Sequence, residues 1–229
     1  DSKNVLVSIY VNPKQFNVNS DFKKYPRNIR KDIAILKKTK VKYLYLPTYA
    51  DIYSFRPILP VYLDRFSKKL CGKFKPGHFK GVVNVVNRFI EIIKPSLIYL
   101  GLKDFQQLNL IKLHINKKKI RTKIIACTTI REKNGIALSS RNILLNKQQI
   151  EIAVRIYKYL KNIKKKIVPA NLKKKKLDIL NKIFLLGAKK IDYLEYINIK
   201  TLKSPKKINE IYNIFIAYYV GNVRLIDNL

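Results

Sequence analysis

The first apolar run, VLVSIYV at residues 5–11, stops at Asn12-Pro13 and predicts a buried parallel strand. Residues 27–38 then place Ile29, Ile33 and Leu36 at helical spacing among basic residues. YLYLP, 43–47, predicts a second strand closed by proline. Residues 57–63 read as a third, edge-like piece, because prolines flank and interrupt them. SKKLCGKFKPGHFKG, 67–81, holds three glycines, a proline and five lysines, and predicts a mobile loop. GVVNVVNRFIEIIK puts Val82, Val85, Val86, Phe89, Ile92 and Ile93 along one helical stripe that ends before Pro95. LIYL is the next strand, KDFQQLNLIKLHI the next helix, and KIIACT at 123–128 another strand.

This alternation argues for an α/β fold, a doubly wound parallel sheet. Such sheets bind ligands at the carboxyl ends of their strands. Three polar segments marked by glycine or proline fall there: NPKQF, GLKDFQQ and REKNGIALSSRN. After Asn142 the texture changes. A Lys-rich amphipathic helix spans 147–166, KKIVPANLKKKK reads as a linker with a helix start, and 174–186 is helical again. LEYINI and IFIAYYV then read as strands, with RLIDNL as a candidate third, so a small α+β domain follows. No internal repeat is visible.

The totals narrow the classes. The chain has 229 residues, 47% of them hydrophobic, enough for a packed core and against global disorder. No segment approaches the roughly 20 apolar residues of a membrane span. DSKNVLVSIYVNP is not a secretory signal, so a soluble, cytoplasmic protein is the default. No Met occurs, and the simplest reading is a chain missing its N-terminal part. Cys71 and Cys127 have no CxxC neighbour and read as free thiols rather than a metal site or disulfide. The net charge of +35 would suit a nucleic-acid binder. Arg, however, supplies only 10 of the 49 basic residues, and the lysines are spread along the whole chain. Base readout favours the Arg fork, so compositional drift toward Lys explains the charge better, and no specific nucleic acid is expected.

In GLKDFQQ, the glycine after a strand lets backbone approach a ligand, Lys103 can carry charge onto a phosphate, and a helix start follows. On spacing alone, N-capping ranks ahead of catalysis for Asp104. Gln106 and Gln107 lie on the first turn, so at least one should face the strand end. ALSSRN combines two hydroxyls with a guanidinium, a set suited to a triphosphate, or else ordinary turn bonding. Gln15 follows the first strand. His78 lies in the predicted loop. His114, late in a helix running into KKK, reads as a surface residue.

Taken together and in order, VSIYVNPKQF, YPRN, KPGHFKGV, GLKDFQQL, REKNGIALSSRN and the ending VRLIDN resemble the pantoate–β-alanine ligase family over essentially the whole chain. The resemblance implies a Rossmann-like, parallel-sheet nucleotidylyltransferase domain over 1–129, followed by a smaller α+β lid domain over 130–229. It implies ATP-dependent condensation of pantoate with β-alanine through a pantoyl adenylate, with Mg2+ accompanying the ATP phosphates and a homodimer as the assembly. Gly101, Leu102, Lys103 and Asp104 match the family's first ATP segment; Leu138, Ser139, Ser140 and Arg141 match the second. Ile130 matches a backbone contact to adenine. Gln15 and Gln107 match the pantoate glutamines, and Gln15 also matches the β-alanine side. Lys103 and Arg141 take supporting catalytic roles. Asp32 matches an acidic position near magnesium, and Asn12 and His78 lie in matching motifs on the pantoate and β-alanine side.

Two departures stand out. Leu102 replaces a residue that is usually acidic, where backbone contacts could still serve. The family's HxGH histidine pair has no counterpart here and would precede Asp1, so the chain as it stands is expected to be weakly active or inactive. The rival readings are a noncatalytic relative that retains nucleotide or pantoate binding and, last, a basic nucleic-acid module. The second of these explains none of Gln15, Gln107 or the LSSR segment.

Overall fold

The computed structural model describes residues 4–166, 171–205 and 210–229, so the centre of the predicted linker lies outside the described residues. The elements run β1 (Leu6–Ser8), α1 (Asn19–Lys24), α2 (Ile29–Leu36), β2 (Tyr43–Tyr45), α3 (Tyr49–Tyr53), α4 (Leu70–Phe74), α5 (His78–Ile93), β3 (Leu97–Gly101), α6 (Phe105–Lys117) and β4 (Lys123–Cys127). Then come α7 (Lys147–Lys166), α8 (Leu172–Leu185), β5 (Lys190–Asn198), β6 (Tyr212–Val220) and β7 (Val223–Asn228). Short 3-10 turns occupy Pro13–Gln15, Arg65–Lys68, Leu102–Asp104 and Ser140–Leu144. No helix among the described residues is long and apolar enough to cross a membrane.

Contacts divide the chain into two compact units. One comprises residues up to Asp64 with Lys75–Ile98 and Asn109–Ile124; the other comprises Arg65–Phe74, Tyr99–Leu108 and Ile125–Leu229.

In the first unit β1 and β2 pair in parallel, from Leu6↔Tyr43 to Ser8↔Tyr45, as an α/β fold requires. β3 and β4 form a separate two-stranded sheet. The core of this unit gathers around α5, whose Phe79, Val82, Val83 and Ile90 are buried with Ile52, Leu110 and Ile111. Gly77, in the left-handed region at φ 79°, turns the chain into α5. The helix therefore begins at His78, and PGHF is its entrance rather than part of a loop.

The predicted mobile loop over 67–81 is corrected further in the second unit. Phe66 and Leu70, four residues apart, are buried and anchor the 3-10 turn and α4. This apolar pair was hidden in the sequence by the lysines and glycines around it.

Residues 57–63 are not a strand. Side chains from two helices satisfy their backbone instead. Ile58 N–H and Leu59 N–H donate to Glu91 Oε1 at 3.0 and 3.3 Å. Asn87 Nδ2 donates to Leu59 O and to Glu91 Oε1. Tyr62 N–H donates to His114 Nδ1 at 3.1 Å. His114 is thus not a surface residue. It is 1% exposed, with Nε2 3.0 Å from Asn87 Oδ1. Accepting at Nδ1 fixes the Nε2–H tautomer, so the ring serves as a neutral brace.

Burial lowers the His114 pKa below its ordinary 6.5, the Lys118 charge adds to this, and Glu91 opposes it. The sign follows from linkage: below pH 6.5 the unfolded ring takes a proton that the folded ring resists. Stability should be level above about pH 6.5 with respect to this group, and fall as pH drops below it. Thermal melts from pH 5 to 8 check this. His114→Gln should melt lower at neutral pH and show a shallower acid decline. An unchanged acid slope in the variant would remove His114 as its source.

In the second unit β5, β6 and β7 form an antiparallel sheet in that order. β6, YNIFIAYYV, lies centrally, and its near-continuous apolar run is buried along most of its length. Ile156 and Leu160 of α7 and Ile179 and Ile183 of α8 pack with Leu194, Ile214 and Ile216. RLIDN is strand, within β7, which ends before Leu229.

Candidate active site

In the first unit, NPKQF folds as a 3-10 turn capped by Asn12, whose Oδ1 accepts from Lys14 N–H at 3.2 Å. Asn12 is buried; its Nδ2 donates to Gly81 O at 3.0 Å, and Tyr53 OH donates to its Oδ1 at 3.0 Å. Burial, followed by the neighbouring Tyr10, pushes the Tyr53 pKa up to about 12, so the hydroxyl stays a neutral donor. Lys14 Nζ lies 3.9 Å from the centre of the Tyr53 ring. His78 Nδ1 meets Gln15 O at 2.6 Å. A carbonyl only accepts, so Nδ1 carries the proton. Helix α5 reaches the turn this closely only because residue 81 is glycine: a Cβ there would overlap Lys14 C and O and Gln15 N. The backbone of Gln15 is therefore fixed from three sides, while its half-buried carboxamide has no hydrogen-bond partner among the described residues. Asp32 belongs to this unit too, half-buried in the first turn of α2, where Asn28 caps Lys31 N–H.

The second unit holds the remaining candidates. Gly101 ends β3, and Leu102–Asp104 form a 3-10 turn that runs straight into α6. Asp104 is exposed and its carboxylate accepts no hydrogen bond among the described residues, so the capping role ranked first on spacing is not observed. Lys103 is half-buried, and its ammonium has no ion pair among the described residues. The two glutamines separate cleanly. Gln106 is buried, and its Nε2 donates to Phe66 O and Lys69 O at 2.8 and 2.7 Å, tying down the turn before α4. Gln107 is half-buried with its carboxamide uncommitted among the described residues.

REKNGIALSSRN folds as a tight hairpin followed by a 3-10 turn. Arg131 bridges Ala137, Glu132 N–H donates to Ile136 O, and Gly135 takes φ 97° at the Asn-Gly corner. A Cβ at Gly135 would run into the Tyr157 ring. Ile130 is 70% exposed, and its carbonyl accepts from Leu138 N–H at 3.0 Å. Ser139 caps the next turn by accepting from Arg141 N–H. Ser140 and Arg141 are its first residues, and Leu138 is exposed.

Three residues at this site escaped sequence reasoning: Arg131, Asp227 and Asn228. Arg131 donates to both Asp227 oxygens at 2.7 and 2.9 Å, to Asn228 O and to Gly135 O, with its guanidinium 4.7 Å from the Tyr157 ring centre. Burial opposes the Arg131 charge, yet its hydrogen bonds to Asp227 and that carboxylate's charge hold the guanidinium pKa above its ordinary value. Asn228 Nδ2 donates to Leu102 O and Lys103 O at 2.9 and 3.0 Å. The end of β7 thus joins both candidate ATP segments. The segments REKNGIALSSRN and VRLIDN were the available signals, and nothing in their spacing named these partners.

The family model for pantoate-beta-alanine ligase matches residues 1–229. The pantothenate synthetase of Fervidobacterium nodosum is 38% identical over 236 residues, covering 100% of this chain and 82% of that protein. The crystal structure of pantoate-beta-alanine ligase from Francisella tularensis complexed with beta-gamma ATP and beta-alanine is 40% identical, with a TM-score of 0.80 over 99% of this chain and 78% of that one. Pantothenate synthetase from Thermus thermophilus is 27% identical, with a TM-score of 0.82 over 99% and 83%. With the match running from end to end of the chain, it belongs to the pantoate–β-alanine ligase family.

Proposed function

We propose that this protein makes pantothenate from pantoate, β-alanine and ATP through a pantoyl adenylate. In the first step a pantoate carboxylate oxygen attacks the α-phosphorus of ATP, and diphosphate leaves. In the second, the β-alanine amine attacks the activated acyl carbon, loses a proton, and AMP departs. Lys103 and Arg141 supply positive charge where phosphate oxygens gain negative charge. The Ser139–Arg141 turn closes on the phosphates, and the Ile130 backbone meets adenine. Gln15 and Gln107 hold pantoate, each with an amide that can donate to its carboxylate or hydroxyls without adding charge.

The observation that carries this reading is the joining of the two nucleotide segments at Asp227 and Asn228, beside a Gln107 that the fold leaves uncommitted. The family relationship and the ATP and β-alanine named in the complex of the Francisella relative support it. Among the described residues no group of three or more His, Cys, Asp or Glu side chains could cage a metal, and Asp32 alone is no cage. Magnesium enters this reading as part of the ATP substrate, carried on its phosphates. Dependence on ATP favours the cytoplasm, and the dimer expected from the family would show as a doubled mass in solution.

The test is pantothenate formation by this chain and by the product of its full reading frame. No ATP-dependent product from either, with all substrates and magnesium present, overturns the proposal. Within it, Gln107→Ala should weaken pantoate binding about 10- to 100-fold, the range for losing a hydrogen bond to a charged group. Calorimetric titration with pantoate checks this. An unchanged affinity takes Gln107 out of the site.

A further inference from the structure

Asn228 is 7% exposed and sits at the end of β7. Every polar group of its side chain is committed. Nδ2 donates to two consecutive carbonyls, Leu102 O and Lys103 O, and Oδ1 accepts from Asn213 Nδ2 at 3.3 Å. This set fixes which end of the carboxamide is which, since only the NH2 end can face two carbonyls. The two carbonyls belong to the peptide planes on either side of the Lys103 Cα. Each plane is rigid, so holding both restrains the two free dihedrals at Lys103 and with them the direction of its Cα–Cβ bond, from which the side chain departs. The backbone of Asn228 adds a second grip: its carbonyl accepts from Arg131 Nη2, and its N–H donates to Asp227 Oδ1, the carboxylate that holds the base of the 130–138 hairpin.

We propose that Asn228 is a positioning residue for the nucleotide reaction, its carboxamide fixing the backbone from which Lys103 reaches the ATP phosphates by gripping both peptide planes that flank its Cα. The proposal rests on the ligase reading above. It gives a purpose to the spending of both carboxamide donors on the two carbonyls that flank a single Cα.

The test is ATP affinity by calorimetry on the full chain, with Asn228→Ala, Asn228→Ser and Asn228→Asp compared. Loss of both donors in Asn228→Ala should weaken ATP binding at least tenfold. Serine keeps one donor and should fall between. Aspartate keeps the size and shape but turns an acceptor toward two carbonyls, so it should bind no better than alanine; a merely space-filling residue would tolerate it. Ile183→Val, in the core cluster of α7, α8 and the sheet, is the stability control and should melt lower yet bind ATP as the parent does. Equal ATP affinity across the folded Asn228 variants overturns the proposal. So does a loss in Ile183→Val as large as in Asn228→Ser. Failure of the parent chain and of the full reading-frame product to bind ATP strikes instead at the ligase reading, and the role of Asn228 falls with it.

Discussion

Lys103→Ala is expected to slow adenylate formation about 10²- to 10³-fold, the usual cost of losing one group that stabilises transition-state charge. Thermal stability should change little, within about 0.5 kcal/mol, as for side chains without structural partners. Both halves follow from one observation. The ammonium is half-buried and takes no ion pair among the described residues, yet its backbone is held on both sides by Asn228. Among the described residues the side chain has no partner to lose, so its removal should act on the bound ligand rather than on the fold. Diphosphate release from pantoate and ATP, without β-alanine, isolates this step in the full reading-frame product. Arg141→Ala should act in the same direction. A Lys103→Ala rate within a few-fold of the parent would remove the lysine from the reaction.

Gly81→Ala should be the most damaging small substitution in the first unit. The new methyl would overlap Lys14 C and O and Gln15 N, which are backbone atoms that no side-chain rotation can move aside. Helix α5 and the 3-10 turn must separate, breaking the bonds from Asn12 Nδ2 to Gly81 O and from His78 Nδ1 to Gln15 O. Overpacking of this kind costs about 1–3 kcal/mol, and the Gln15 carboxamide is displaced as well. A lowered melting temperature together with a weakened pantoate titration is the expected pair of results. Normal pantoate binding would show that the position of this turn does not matter to the substrate.

Some features were legible because they are local. The helix through Val82 and Val85, the strand LIYL and the strand RLIDN follow from side-chain period and from where glycine and proline interrupt it, although the predicted stripe held only in part: Ile92 is exposed while Val83 and Ile90 are buried. Reading failed where a short apolar pair carried an element by itself, as Phe66 and Leu70 do for the turn and α4. It failed again where side chains took over the backbone's hydrogen bonds. Residues 57–63 resemble an edge strand in composition, but Glu91, Asn87 and His114 supply the partners that a neighbouring strand would have given.

The sequence by itself determined the long helices and the strands on either side of them, the segments that resemble the family's, and the family. These depend on residues near one another along the chain, whose spacing records what each turn or strand end must do. Tertiary structure alone decided which of two adjacent glutamines is structural, that His114 is a buried brace, and that Asn228 bonds the carbonyls of Leu102 and Lys103. Gln106 reaches carbonyls 40 and 37 positions away, His114 a backbone amide 52 away, and Asn228 carbonyls 126 and 125 away. A hydrogen bond needs only about 3 Å in space and leaves no periodic trace in a sequence when its partners lie so far apart.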